Sequence, residues 1–217
     1  MAARKKKKIV FVCTGNTCRS PMAQLLLTKC LEEEKLKGFD VRSAGIAAKK
    51  GDGINPKSAQ VLQENGIDVK EFSATKLSEK LLLDAFAVVC MTERQREFLM
   101  DMRWNALKKA GKDLDVAENN VYSFAEMTRY EILDPYGKDI DCYRYVFGLL
   151  SAGMAKLKER LDLKGNAWET KPRAPRKVKT ATEKPESSTQ KTKKKTPKRD
   201  VKENKDEQLS IFKEKEL

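Results

Sequence analysis

Hydrophobic positions follow two alternating patterns through the first three quarters of this chain. Ile9-Val10-Phe11-Val12 and Phe86 to Met91 (FAVVCM) are short, unbroken runs of mainly β-branched, aromatic and sulfur-bearing residues. Such runs suit strands buried on both faces of a parallel sheet. Phe39 to Ala44, stopped by Gly45, and Asn120 to Phe124 read as two further strands. Between them lie segments with helical spacing. Pro21 opens one whose apolar residues are Leu25, Leu26, Leu27, Leu31 and Leu36, with Gly38 as its stop. Pro56 to Glu64 is a short helix ended by Asn65-Gly66, Lys76 to Asp84 is another, and Thr92 caps the next. Ile140 to Leu163 is a long final helix with Tyr143, Val146, Phe147, Leu150, Met154, Leu157 and Leu161 near helical spacing. Strands separated by helices predict an α/β fold with a parallel sheet covered on both faces.

The pattern stops after Trp168. Residues 171–217 contain no Gly, four of the seven Pro, and abundant Lys, Thr, Ser and Glu. Too few apolar residues remain to bury a core, so this stretch is expected to be disordered. The expected organisation is a basic extension over 1–8, one domain over 9–163 and a Lys-rich tail over 164–217. Charge follows the same division. Of the net +13, residues 1–8 supply five basic residues and no acid, and residues 171–217 supply 16 basic and 8 acidic residues. The body between them is neutral, so the basic balance belongs to the tails and does not mark the domain as a nucleic-acid binder. No run is long enough to span a membrane. The apolar stretch after Arg4 to Lys8 is too short for a signal peptide. Five Cys, scattered and without a CxxC pair, fit reduced thiols and a cytoplasmic setting.

The chain has no His. That excludes Ser-His-Asp and Cys-His catalysis and HExxH zinc sites. No cluster has metal-ligand spacing, and neither metal nor cofactor is expected. The chemistry is expected instead where the first strand runs into Cys13-Thr14-Gly15-Asn16-Thr17-Cys18-Arg19-Ser20-Pro21. A strand–loop–helix junction aims several backbone N–H groups at one spot, and the helix dipole adds positive potential there. Gly15 is expected to let the backbone approach an anion. Arg19 can grip two oxygens with its planar fork. A thiol beside a helix N-terminus and a cation favours the thiolate, so Cys13 needs no base. Nucleophile and oxyanion cradle coincide, as attack on phosphorus requires. Ser20 can donate to the departing thiolate. The leaving group needs an acid, and without His a carboxylate must serve. Asp134, in the turn Asp134-Pro135-Tyr136-Gly137, is the candidate.

Together CTGNTCRSPMA near the start, RSAG at 42–45, VVCMT at 88–92 and LDPYG at 133–137 resemble the low-molecular-weight protein tyrosine phosphatase family, over about residues 8–163. The resemblance implies a flavodoxin-like, four-stranded parallel sheet. It implies Cys13 as nucleophile, Arg19 as phosphate clamp, and Asp134 as general acid and then base for water. It implies Asn16, Ser20 and Ser43 as the residues that hold the loop, and Cys18 as a second loop thiol able to form a reversible, protective disulfide with Cys13. Within the family the chain is most similar to the bacterial protein arginine phosphatases. Thr17 stands where tyrosine phosphatases usually carry Ile or Leu, and a hydroxyl there can meet the P–N centre or orient water. Tyr136 supplies an aromatic wall in either branch. One departure bears on the loop: Phe72 stands where relatives commonly carry a His that supports Asn16 and Ser20, and Thr75 where they carry a basic residue.

The reading is a protein phosphatase that hydrolyses phosphoarginine through a phosphocysteine intermediate, with phosphorylated proteins as partners. Phosphotyrosine is the alternative. Arsenate reduction on the same fold would need two closely spaced Cys beyond the loop, whereas Cys30, Cys90 and Cys142 stand apart. A polyanion-binding role would rest on Arg4 to Lys8 and on Lys191 to Arg199, which lack interleaved aromatic residues. Trp104 is expected to follow a helix and pack, Met91, Met100 and Met102 to pack in core and loops, and Glu32 to Glu34 to form a solvated face.

Overall fold

The computed structural model describes residues 5–69, 71–111 and 119–164. The expected tail from 165 onward, its basic run Lys191 to Arg199, and Arg4 lie outside the described residues. Four strands, β1 (Lys7–Cys13), β2 (Phe39–Gly45), β3 (Ala87–Cys90) and β4 (Val121–Ser123), pair in the order β2-β1-β3-β4. All three pairings are parallel. Six helices complete the described fold: α1 (Arg19–Glu33), α2 (Pro56–Glu64), α3 (Glu79–Asp84), α4 (Glu93–Lys109), α5 (Phe124–Thr128) and α6 (Ile140–Arg160).

The unbroken apolar run of β1 is explained by burial on both faces. Side chains alternate along a strand. Ile9, Phe11 and Cys13 enter a core with α1, α2, α5 and α6, while Val10 and Val12 enter a second with α3 and α4. The sheet thus carries two hydrophobic layers, as the expected two-faced sheet requires. Strand β1 extends beyond the expected run, beginning at Lys7, whose amide donates to the Gly38 carbonyl at 2.8 Å. Backbone pairing continues there whatever the side chain, and the Lys7 ammonium sits 4.7 Å from the centroid of the Phe86 ring. Lys7 and Lys8 therefore belong to the sheet and not to a separate extension.

Several boundaries differ from those expected, each for a local reason. The first helix starts at Arg19, two residues before Pro21, and ends at Glu33. Its stop is Lys35 and not Gly38. Lys35 has φ 56°, its amide donates to Glu32 O and that of Leu36 to Leu31 O, a left-handed terminus usually made by Gly. Asp162 (φ 50°) ends α6 in the same way, with Leu163 N bonded to Lys158 O. Helix α3 begins at Glu79, because Ser78 caps it through Leu81 N at 3.2 Å. The fourth strand ends at Ser123, whose hydroxyl takes the Glu126 amide while Glu126 reaches back to the Ser123 amide. That reciprocal cap starts α5 at Phe124, a helix the apolar pattern did not predict. Trp104 lies within α4, not after it, and is 52 % exposed. Packing does not account for it. Met91 is buried, Met100 and Met102 are partly buried against the second core, and Glu32 to Glu34 are exposed.

Candidate active site

The strand order reverses at β1, since the chain runs from β1 to β2 on one side and returns to β3 on the other. Open parallel sheets bind ligands beyond the carboxyl ends of strands at such a point. The loop of residues 14–18 leaves β1 there and becomes α1. Cys13 closes β1 and is 3 % exposed, with Thr14 exposed beside it.

The loop is shaped by one left-handed residue, Asn16 at φ 57°. Asn tolerates this conformation better than most residues, and here its side chain compensates in full. Asn16 Oδ1 accepts the Thr75 amide at 2.8 Å, and Nδ2 donates to Ser20 Oγ at 2.9 Å and Ser43 Oγ at 2.8 Å. Ser43 passes its own hydrogen to Gln24 Oε1 at 2.6 Å. Ser20 Oγ, already accepting from Asn16, lies 3.0 Å from Cys13 Sγ and 3.4 Å from the Ala44 carbonyl. Ser20 donates to that carbonyl, and in the contact with the sulfur either atom can be the donor. Asn16, Ser20 and Ser43 thus come together as expected. Gly15 makes no close approach to the rest of the protein. Its φ lies outside the left-handed region, and a Cβ there would meet only Thr17 Oγ1 at 3.5 Å, an ordinary contact. The close approach is at Gly45, where a Cβ would fall 2.7 Å from Thr14 O and 2.8 Å from Asn16 N.

The Phe72 departure leaves the loop supported. Phe72 is half-buried and takes no part in the Asn16 network, whose carbonyl oxygen is held by the Thr75 backbone amide. A backbone donor does not depend on the side chain at 72 or 75. The segment that carries it is tied at both ends, through Gly45 N to Thr75 O and Leu77 N to Gly45 O, each 2.9 Å.

Arg19, at the first turn of α1, is buried and forms an ion pair with Asp134 Oδ2. The fold therefore brings the arginine of the first loop to the carboxylate of residues 133–137, 115 positions on. Asp134 Oδ1 takes the Tyr136 amide at 3.2 Å, which closes the turn. Tyr136 is 72 % exposed and stands at the rim. Thr17 is half-buried, with its hydroxyl 3.6 Å from Cys18 Sγ. Chemically, the arrangement places a buried thiol beside a hydroxyl, a buried guanidinium and a half-exposed carboxylate around one loop.

Three contributors had escaped the sequence reading. Gln95 accepts the Met91 amide at 3.1 Å and donates to Thr14 Oγ1 at 3.2 Å, so α4 reaches back to the loop. Its place three residues after the cap Thr92 marks a helix start, but nothing in the sequence shows that its amide turns to Thr14. Gln24 likewise gives no sequence signal. Tyr143, expected only as core, sets its hydroxyl 3.6 Å from Cys18 Sγ. Burial and the neighbouring Cys18 push this phenol well above its ordinary range, so it stays protonated and available as a donor.

The other thiols lie elsewhere. Cys30 is in α1, Cys142 in α6, and Cys90 in the opposite core, where burial holds it firmly as the thiol. All five cysteines are free. Among the described residues no set of three or more acidic or Cys side chains gathers as a metal site, and no helix is long and apolar enough to cross a membrane.

Residues 8–167 match the family described as low molecular weight phosphotyrosine protein phosphatase. The chain is 32% identical over 148 residues to a probable low molecular weight protein-tyrosine-phosphatase, EpsP, of Ralstonia nicotianae, covering 68% of this chain and 91% of the relative. It is 33% identical over 155 residues to a protein-arginine-phosphatase of Geobacillus stearothermophilus, covering 71% and 96%. Among solved structures it is similar to a mutant of the YwlE arginine phosphatase with a phosphorylated active-site serine, at 30% identity and TM-score 0.61, covering 71% of this chain and 95% of that one.

Proposed function

Because this chain belongs to the low molecular weight phosphotyrosine protein phosphatase family, we propose that it removes phosphoryl groups from phosphoarginine in proteins through a phosphocysteine intermediate. Cys13 is the nucleophile. Its sulfur attacks phosphorus while the P–N bond breaks and the electron pair leaves with the guanidine nitrogen. Arg19 holds two phosphoryl oxygens, for which the Asp134 carboxylate is exchanged. Asp134, so released, takes up a proton from solvent and as the neutral acid gives it to the leaving nitrogen, a strong base that departs poorly without one. In the second step Asp134 takes a proton from water as the water oxygen attacks phosphorus. The S–P bond breaks, and Ser20 donates to the departing thiolate. The loop of residues 14–18 supplies backbone N–H groups for the transferring oxygens. Cys18 belongs to the same reading as the thiol that would take an oxidised Cys13 into a reversible disulfide. A reducing, cytoplasmic setting belongs to it too, since the nucleophile must remain a thiol. The expected 9–163 segment, extended by Lys7 and Lys8 of β1, is proposed as the catalytic domain.

The observation that carries the arginine reading is Thr17. Its carbonyl is fixed by the Asn55 amide at 2.9 Å, which leaves the hydroxyl as its variable contribution to the loop. A phosphoguanidinium offers N–H groups that a hydroxyl can accept and an Ile or Leu side chain cannot. The second reading, phosphotyrosine, is favoured by the likeness to EpsP and by the exposed ring of Tyr136 at the rim. Matched phosphoarginine and phosphotyrosine peptides decide between them, with Cys13→Ser as the blank. Preference for phosphoarginine that weakens in Thr17→Ile supports the proposal. Preference for phosphotyrosine overturns the specificity and leaves the mechanism. No Cys13-dependent release from either overturns both.

A further inference from the structure

The first turn of α2 touches both halves of the site. Asn55, its N-cap, accepts the Lys57 amide with its side chain and sends its own amide to the Thr17 carbonyl. Lys57 then reaches the other way. Its ammonium donates to the Lys138 carbonyl and lies 5.9 Å from the centroid of the Tyr143 ring. Lys138 closes the turn that follows Asp134, since its amide bonds Pro135 O at 3.0 Å. Helix α2 is itself anchored to α6 by the two-pronged contact of Arg144 with Glu64, 2.9 and 2.8 Å. One rigid element therefore grips the phosphate loop at Thr17 and the acid-bearing turn at Lys138.

We propose that Lys57 is a positioning residue that holds the 134–138 turn, and with it the Asp134 carboxyl, in register with the Cys13 loop. This rests on the reading of Asp134 as general acid. Asp134 is half-exposed and tied to its own turn by the Tyr136 amide alone. In this structure its second oxygen is held by Arg19, a hold that ends when a phosphoryl group takes the guanidinium. At that moment the turn must stay in place without the ion pair. The Lys57 contact is made to backbone, not to substrate, so it persists through that exchange. Proton transfer is sensitive to placement: misplacing a reacting group by about 1 Å can cost about 100-fold.

The test compares kcat/KM for phenyl phosphate and 2,4-dinitrophenyl phosphate. Phenolate is a strong base and needs a proton to leave, whereas dinitrophenolate departs without one. Both substrates carry the same phosphoryl charge, so loss of a cation at the rim affects them alike and cancels in the ratio. Asp134→Asn is expected to slow phenyl phosphate by about 100-fold or more and dinitrophenyl phosphate far less. Lys57→Met should lower phenyl phosphate turnover by about 3- to 10-fold, with less than about 2-fold on the dinitrophenyl ester. Lys57→Arg, which can still donate to the carbonyl, should restore the ratio. Thermal unfolding of each variant checks that the exposed substitution leaves the fold intact. If Lys57→Met slows both esters equally or neither, while Asp134→Asn discriminates, the positioning role is overturned and the general acid stands. If Asp134→Asn also slows both equally, the general-acid reading falls and the role of Lys57 falls with it.

Discussion

Replacing Gly45 by Ala tests whether the phosphate loop is held by steric contact with the end of β2. A methyl at Gly45 would stand 2.7 Å from the Thr14 carbonyl oxygen, 2.8 Å from the Asn16 nitrogen and 2.9 Å from the Ala48 Cβ. Two of these atoms are loop backbone and cannot rotate away. Returning the Thr14 oxygen to contact near 3.4 Å requires a shift of about 0.7 Å. The strand cannot yield on its other side, because Gly45 N and O are both bonded, to Thr75 O and Leu77 N. The displacement therefore falls on the loop. Overpacking of this kind costs about 1–3 kcal/mol, which for a domain of this size lowers Tm by about 2–12 °C. Moving Thr14 and Asn16 also moves Cys13 relative to Ser20, and kcat/KM should fall by about 10-fold or more. Thermal unfolding and phosphopeptide hydrolysis on the same preparation report both effects. A Gly45→Ala protein with the parent's Tm and kcat/KM would refute the reasoning, since it would show that the loop absorbs the methyl without cost.

The same substitution should have opposite signs at two positions on α6. At Gly148 a Cβ meets nothing within 4 Å, so Gly148→Ala should stabilise by about 0.5–1 kcal/mol through helix propensity. At Gly153 it would lie 2.6 Å from the Phe124 ring, so Gly153→Ala should lower Tm despite the same propensity gain. Hydrogen bonds from Arg144, and then from Gln60, hold the Glu64 carboxyl down at about 2. A depressed carboxylate stabilises above its unfolded value of about 4.3 and loses that effect as pH falls through 2. The Tm gap between the parent and Glu64→Gln should be constant above pH 5 and close between about 4 and 2; a gap unchanged at pH 2 would contradict this. Asp134→Asn removes the carboxylate that pairs with Arg19. Inorganic phosphate should then inhibit about 2- to 5-fold more tightly, the worth of a partly exposed ion pair, and unchanged inhibition would show that the pair offers no competition.

How far the site could be read from sequence depended on whether its contacts were local. Cys13, Asn16, Arg19 and Ser20 fall within eight residues at a strand–loop–helix junction, so their shared environment follows from one element boundary. Asp134 was accessible through its turn signature and its role as an acid through chemical need and family resemblance, but nothing in the sequence showed its ion pair with Arg19. Gln95 and Gln24 were missed because a glutamine on a helix has no spacing that reveals where its amide points. Gly15 draws notice in the sequence because it lacks a Cβ, but the left-handed residue of the loop is Asn16. Asn16 takes that position because its side-chain bonds offset the backbone cost. Trp104 was expected to pack because most Trp do, and α4 instead turns it to solvent.

The sequence by itself determined the order of the four strands and of every described helix but α5, the two-faced burial of β1, and the residues of the first loop. Those features follow from periodicity and local backbone chemistry, which act over a few residues. Tertiary structure decided what no window could show. It chose β1 as the point where the sheet reverses, which sets the loop at the crevice. It brought Thr75, Ser43 and Gln24 behind Asn16, and Asp134 to Arg19. It also set the first turn of α2 between the two halves of the site. These contacts join residues tens of positions apart. They exist only because packing of the two cores fixes the helices on the sheet, and that is a property of the whole chain's buried surface.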